Sequence, residues 1–392
     1  MAPKVIYITG FRQHAGKTVT SLGLLSLLTK VIEPSRIAYI KPVGQKVDVL
    51  PNGIIIEKDA HLIKEFSGLT ELDLTLVSPV ILASGFTKKF LSTSDPVAES
   101  RRLKDRIAKA VKALSDKEII IAEGTGHPGV GGIVGLSNAK VANLIDAEII
   151  FLSGGGIGKA LDMLEVDLSY FLYKKSRVRG IIFNKLLPDK ISTVKQYITE
   201  DLLNKRFGAV GGQLSILGFF PQINSLQNPS MRILKREFAG CQVLGDPDDI
   251  SWSVPPLCAK MITLATENFI PERFLVPQAL VVAKGNKGAN IRKIIQYNQN
   301  LIEKDEAPLA GLILTGAQYH DLENDVRDAV LEANIPSIFV QEDIATAEAK
   351  ILQLFENTKL ELFDRIKIDE IESLFEQHFD MEKFLESFQI SV

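Results

Sequence analysis

The chain has 392 residues, 46% hydrophobic and 24% charged, an ordinary globular composition that excludes disorder or a fibrous repeat as its general character. At about 150 residues per domain, two or three domains are expected. The 45 basic and 48 acidic residues leave a net charge of -3, which gives no electrostatic case for nucleic acid or an anionic membrane surface as partner.

The apolar run at 5–9 is too short and wrongly flanked for a signal peptide, and no stretch approaches the ~20 apolar residues of a membrane span. Two cysteines, Cys241 and Cys258, are too few for a disulfide framework; they read as buried structural thiols in a reducing compartment, so a cytoplasmic location is expected.

From the N-terminus, short β-branched apolar runs alternate with helix-length amphipathic stretches. Strands are predicted at 4–9, 36–41, 117–122, 148–152, 179–184 and 214–218, and helices at 18–31, 59–66, 98–114, 139–145, 159–173 and 191–205. The strands are apolar throughout, as strands buried on both faces should be, and right-handed crossovers then give an α/β fold with a doubly wound parallel sheet over 1–224. The pattern loosens from 221 to 274 around Pro229, the run Gly245-Asp246-Pro247-Asp248-Asp249 and Pro255-Pro256, which places a boundary near residue 224. A second, smaller α/β domain occupies 225–357, with strands at 278–283, 310–314 and 337–340, helices at 291–302, 323–333 and 345–355, and a parallel sheet. Residues 358–392 carry Ile368, Ile371, Leu374 and Phe375 at helical spacing and read as a C-terminal helical tail.

The strongest chemical signal is Thr9-Gly10-Phe11-Arg12-Gln13-His14-Ala15-Gly16-Lys17-Thr18, lying between a predicted strand and helix. A glycine-rich turn there aims successive backbone N–H groups at phosphate oxygens, and the helix N-terminus adds a favourable dipole. This assigns Gly10, Gln13, His14, Ala15, Gly16, Lys17, Thr18 and Val19 to ATP, with Lys17 on the β- and γ-phosphates and the Thr18 hydroxyl on Mg²⁺. The spacing between the two glycines is one residue longer than in the common P-loop pattern.

With that spacing, the chain resembles the dethiobiotin synthetase family, and further matches follow at Lys41-Pro42-Val43, Glu123-Gly124, Asn184 and Leu217-Gly218-Phe219-Phe220-Pro221. The resemblance implies that Lys41 lies near the γ-phosphate and the group being phosphorylated, that Asp59 and Glu123 join Thr18 around Mg²⁺, and that Asn184 contacts adenine. It also implies a homodimer. Asp59 reads equally as a helix cap, and Asn184 as a turn residue. Between the glycines the synthetases carry Thr-Asp-Thr-Glu, whereas this chain has Phe11, Arg12, Gln13 and His14. That exchange counts against a diamine substrate. Arg12 suits a small anionic metabolite or an extra phosphate contact, or is simply a solvent-exposed loop arginine. His127 and the run Gly154-Gly155-Gly156 are weaker candidates for the same crevice.

The second domain resembles the DRTGG domain at Gly285-Asn286-Lys287 and Leu314-Thr315-Gly316-Ala317. Such a domain follows a synthetase-like domain in the N-terminal region of long phosphate acetyltransferases. Two functions are therefore expected: a Mg-ATP-binding protein with a regulatory role in acyl-phosphate or CoA-linked metabolism, or an ATP-dependent ligase that phosphorylates a carboxylate or carbamate, like dethiobiotin synthetase or the cobyrinic acid amidoligases.

Overall fold

The structure, a computed structural model, describes residues 2–49, 53, 55–69, 71–208, 212–256, 261–264, 269–357 and 360–391. Cys258 and Thr358, the first residue of the expected tail, lie outside the described residues. The chain divides into two units, one of residues 1–222 with 368–392 and one of residues 223–367.

In the first unit, six strands form one parallel sheet: β1 Lys4–Gly10, β2 Ile37–Ile40, β3 Ile119–Glu123, β4 Glu148–Gly154, β5 Arg177–Leu186 and β6 Ser215–Pro221, in the order β6-β5-β4-β1-β3-β2. Every residue of β2, β3 and β4 is buried, which is why their sequences are apolar without alternation. The covering helices are α1 Lys17–Leu28, α2 Lys58–Phe66, α3 Pro96–Ala113, α4 Asn138–Leu144, α5 Ile157–Tyr173, α6 Ile191–Tyr197 and α7 Glu200–Phe207. Ile107 of α3, Val141 of α4 and Leu164 and Phe171 of α5 join Ile120, Phe151 and Ile181 of the sheet in one core. Since β1 lies between β3 and β4, the chain leaves β1 towards one side and leaves β3 towards the other. The loops after these two neighbouring strands diverge and open a crevice at their C-terminal ends.

Two expectations are corrected here. The single helix predicted at 191–205 is two, because Thr199 turns extended and its hydroxyl accepts from the Leu202 N–H at 3.2 Å, an N-cap that starts α7 afresh. The segment between β2 and α2, read without strands, holds a short antiparallel pair, Val47–Val49 with Ile55–Glu57, that delivers the chain to the start of α2.

The second unit also departs from its reading. Its sheet has five strands, β7 Gln242–Leu244, β8 Ile262–Leu264, β9 Leu280–Lys284, β10 Gly311–Thr315 and β11 Ser337–Val340, ordered β7-β11-β10-β9-β8. β7 pairs antiparallel to β11, so the sheet is mixed rather than parallel. Three-residue edge strands are too short to register as periodicity. The helices are α8 Met231–Glu237, α9 Gly288–Glu303, α10 Asn324–Glu332 and α11 Ile344–Asn357. Val281, Leu312 and Phe339 face Ile291, Ile294 and Val326, whereas their neighbours Val282, Ile313 and Ile338 face Leu234, Trp252 and Ile351. The alternation of adjacent residues between two cores is the period-2 signature of a strand. Cys241, expected to be buried, is a half-buried free thiol.

The closing helices, α12 Arg365–His378 and α13 Met381–Ser387, were expected as a tail beyond the second domain, but from Ile368 onward the chain belongs to the first unit. Asp380 N–H donates to the Leu217 carbonyl of β6 at 2.8 Å, and the Ser387 hydroxyl donates to that of Ser215 at 2.7 Å. Rings of Phe220, Phe375, Phe379, Phe384 and Phe388 follow one another at centroid distances of 4.7, 5.7, 5.6 and 5.1 Å. Phe375 also rests on α1, where a Cβ at Gly23 would stand 2.1 Å from its Cδ2. The Gly23→Ala variant therefore loses stability in thermal unfolding, because overpacking at about 1–3 kcal/mol outweighs a helix-propensity gain of about 1 kcal/mol. In a Phe375→Leu background the same substitution costs less, and equal costs in both backgrounds would break the assignment of this contact.

Candidate functional site

The loop between β1 and α1 lies at the crevice. Gly16 turns into α1 at φ 99° and His14 at φ 59°, backbone shapes that open the loop and leave the first N–H groups of α1 without intrahelical partners. Gly16 is required for a second reason: a Cβ there would stand 2.3 Å from Asn184 Nδ2. That nitrogen donates to the Ala15 carbonyl at 2.9 Å, and the Asn184 Oδ1 accepts from the Lys185 N–H at 2.9 Å. Asn184, expected to contact adenine, is seen here to fasten the loop to β5. Gly10 and Ala15 are buried, His14 and Val19 are half-buried, and Arg12 and Gln13 are exposed. Phe11 packs beside Gly154, which brings the glycine run after β4 to the loop. The Arg12 guanidinium lies 5.0 Å from the Phe11 ring centroid.

Lys17 Nζ donates to the carbonyls of Arg12 at 3.0 Å and Gly126 at 3.1 Å, so its ammonium lies between the loop and the segment after β3. Thr18 Oγ1 donates to Glu123 Oε1 at 3.0 Å. Glu123, at the C-terminal end of β3 and 1% exposed, also accepts from Ser21 at 2.9 Å, Tyr39 at 3.1 Å and Lys41 at 2.9 Å. Lys41, just past β2 and 4% exposed, pairs with Asp59 as well and lies 3.5 Å from Glu57. The structure therefore brings Lys17, Thr18, Lys41, Asp59 and Glu123 together from four separate stretches of chain. Asp59 is not the helix cap that its position allowed. Glu57 is, accepting from the Asp59 N–H at 2.7 Å.

Burial opposes the charge on Lys41, but Asp59, Glu123 and Glu57 outweigh it and hold the ammonium well above its usual pKa. Burial pushes Glu57 up to about 7 against the pull of Lys41. Tyr39 is raised by burial and by Glu123, so it remains the donor in their hydrogen bond. One ammonium thus faces three buried carboxylates. Among the described residues no group of three His, Cys, Asp or Glu side chains is placed to hold a metal ion. The oxygens of Thr18 and Glu123 are adjacent and of the hard type Mg²⁺ takes, whereas Asp59 reaches Glu123 through Lys41.

Sequence reasoning missed several of these groups. Ser21 lies one helical turn after Lys17 and returns its hydroxyl to the Lys17 carbonyl as well as to Glu123, a spacing that could have signalled it. Tyr39 precedes Lys41 by two on the same strand face. Asn138 had no such signal. Its side chain accepts from Tyr7 at 2.8 Å and the Thr125 N–H at 3.0 Å, and donates to the carbonyls of Thr125 at 2.9 Å and His127 at 2.7 Å. His127 itself is exposed, with Nδ1 accepting from the Gly129 N–H.

A family profile described as an AAA domain matches residues 4–230, more than half of the chain. That family contains P-loop proteins of the dethiobiotin synthetase type. Among solved structures, the signal recognition particle receptor FtsY from Elizabethkingia anophelis in complex with GDP aligns at 11% identity and a TM-score of 0.33, over 56% of this chain and 58% of that one. The chain thus spans little more than half of that receptor's length. No helix among the described residues is long and apolar enough to cross a membrane.

Two outcomes follow from the electrostatics. Replacing Lys41 by Met strands three buried carboxylates, and chemical denaturation should show a loss of about 3–5 kcal/mol. Lys185 is lowered to about 8 by burial and by Arg12, so it gives up its proton near the pH where binding is measured. An anion bound beside it favours the ammonium, so nucleotide binding takes up protons as the pH rises through about 8 and weakens above it. Calorimetry in buffers of different ionisation enthalpy detects that uptake, which should vanish in Lys185→Met.

Proposed function

The chain belongs to the AAA-domain family, and on that premise we propose that it binds ATP with Mg²⁺ in the crevice after β1 and β3 and serves a regulatory role in acyl-phosphate or CoA-linked metabolism. The observation that carries the reading is the Thr18 hydroxyl on Glu123 at 3.0 Å at the N-terminus of α1, with the Lys17 ammonium held beside them on the Arg12 and Gly126 carbonyls at 3.0 and 3.1 Å. The N–H groups of the first turn of α1 and the Lys17 ammonium suit the phosphates, Thr18 and Glu123 would hold the metal with Asp59 close by, and Asn184, beside the loop at the end of β5, would contact the base. Bound Mg²⁺ would supply positive charge at the phosphate oxygens. The excess of carboxylates over ammonium groups around Lys41 supports a second cation there. The regulatory role rests on the likeness of the second unit to a DRTGG domain and on the loss of the acidic loop residues that the synthetases carry.

One feature favours the ligase alternative. Lys41 is held at the C-terminal end of the sheet, beside Glu123, where an ammonium stabilises charge developing on a transferred phosphoryl group. In either reading a small anionic metabolite is the expected second ligand, and Arg12, exposed on the loop, is a cation that could meet it.

Calorimetric titration with ATP, with and without Mg²⁺, is the deciding experiment. Binding should require Lys17, and Glu123→Ala should remove only the Mg²⁺-dependent part; unchanged binding in both variants would overturn the site. Release of ADP that rises with bicarbonate and an amine or carboxylate would select the ligase. A flat background selects the regulatory role.

A further inference from the structure

A second concavity of the first unit has no part in the phosphate crevice. It is a cavity of about 470 Å³ between the first turns of α3 and the segment before α4. Phe90, Val97, Ile133 and Val134 give it an apolar lining, and Arg101, Lys104 and Lys140 line it with three cations. No acidic side chain lines it. Among the described residues none of these three cations has an ion-pair or hydrogen-bond partner for its side chain, although surface cations elsewhere in this unit, such as Lys4, Arg177 and Lys205, find carboxylates. Lys104 is only half-exposed. Three like charges around one apolar hollow repel one another, and the arrangement is relieved by an anion that also carries hydrocarbon.

The hollow is shaped by backbone. Gly135 turns at φ 79°, and a Cβ there would stand 2.4 Å from Ser100 Oγ. Ser100 donates to the Val134 carbonyl at 2.8 Å, fixing the rim against α3. Gly131 turns at φ 83°, and a Cβ there would meet the Leu136 carbonyl at 2.5 Å. The rim is therefore built rather than draped.

We propose that this cavity binds a small organic anion, a carboxylate or phosphate joined to an apolar segment, with Arg101, Lys104 and Lys140 on the charged group and Phe90, Val97 and Ile133 around the hydrocarbon. The site stands apart from the nucleotide crevice, and its test is independent of it. The probe is octanoate, with octanol as the same chain without charge and inorganic phosphate as charge without chain. Octanoate should bind one to one and slow hydrogen exchange in 96–104 and 130–140. Arg101→Glu and Lys104→Glu, both on the surface of α3, should each weaken it about tenfold while ATP binding is unchanged. Octanol binding as well as octanoate, or octanoate binding equally to both variants, overturns the proposal. So does protection of the same segments that rises with protein concentration alone, since a second copy would then cover this face. If ATP fails to bind and the octanoate result stands, the nucleotide reading falls and this one does not.

Discussion

The first unit depends on one buried ammonium. Lys41 lies within ion-pair distance of Glu57, Asp59 and Glu123, which come from the approach to α2, from its first turn and from the end of β3. Burying four ionisable groups is costly unless each finds a partner, so each segment that supplies one is held to a narrow set of positions. The short antiparallel pair between β2 and α2 has this as its consequence: it brings Glu57 to the start of the helix, where one carboxylate oxygen caps α2 while the other faces Lys41. Glu123 passes the constraint on to α1 through Thr18 and Ser21. The charge cluster, the P-loop and the centre of the sheet are therefore one hydrogen-bonded assembly.

A second assembly lies beside it. Asn138, at the start of α4, ties Tyr7 of β1 to Thr125 and His127, and the same segment offers the Gly126 carbonyl to Lys17. All four side-chain bonds of Asn138 are directed at β1 or at the segment after β3. That segment continues through Gly131 to Gly135, the rim of the cationic cavity. Its conformation is set at one end by Lys17 and at the other by Ser100 of α3.

The second unit interrupts the first in sequence. The chain leaves β6, builds the mixed sheet of the second unit, and returns from Ile368 to lay the rings of Phe375, Phe379, Phe384 and Phe388 in a row that starts on Phe220 of β6, with Phe375 also against α1. Gly23 is the place where this return is felt by the P-loop helix, since only a residue without Cβ leaves room for Phe375. The nucleotide-binding fold is thus completed by residues far from it in the chain.

Local sequence determined a good deal by itself. Apolar runs located the six strands of the first sheet, because strands covered on both faces must be apolar throughout. The Gly-rich turn before Lys17 and Thr18 was legible because its chemistry lies in consecutive residues. Tertiary structure alone decided the rest. Glu57 and Asn138 are ordinary polar residues until folding places them beside Lys41 and Tyr7. The break before Thr199 depends on a single cap within a continuous helical pattern. β7 and β8 have too few residues to show a period. The destination of the closing helices was illegible for a more general reason: periodicity reveals that Ile368, Ile371, Leu374 and Phe375 form an apolar face, but the surface that buries such a face is fixed only when the chain has folded back upon it.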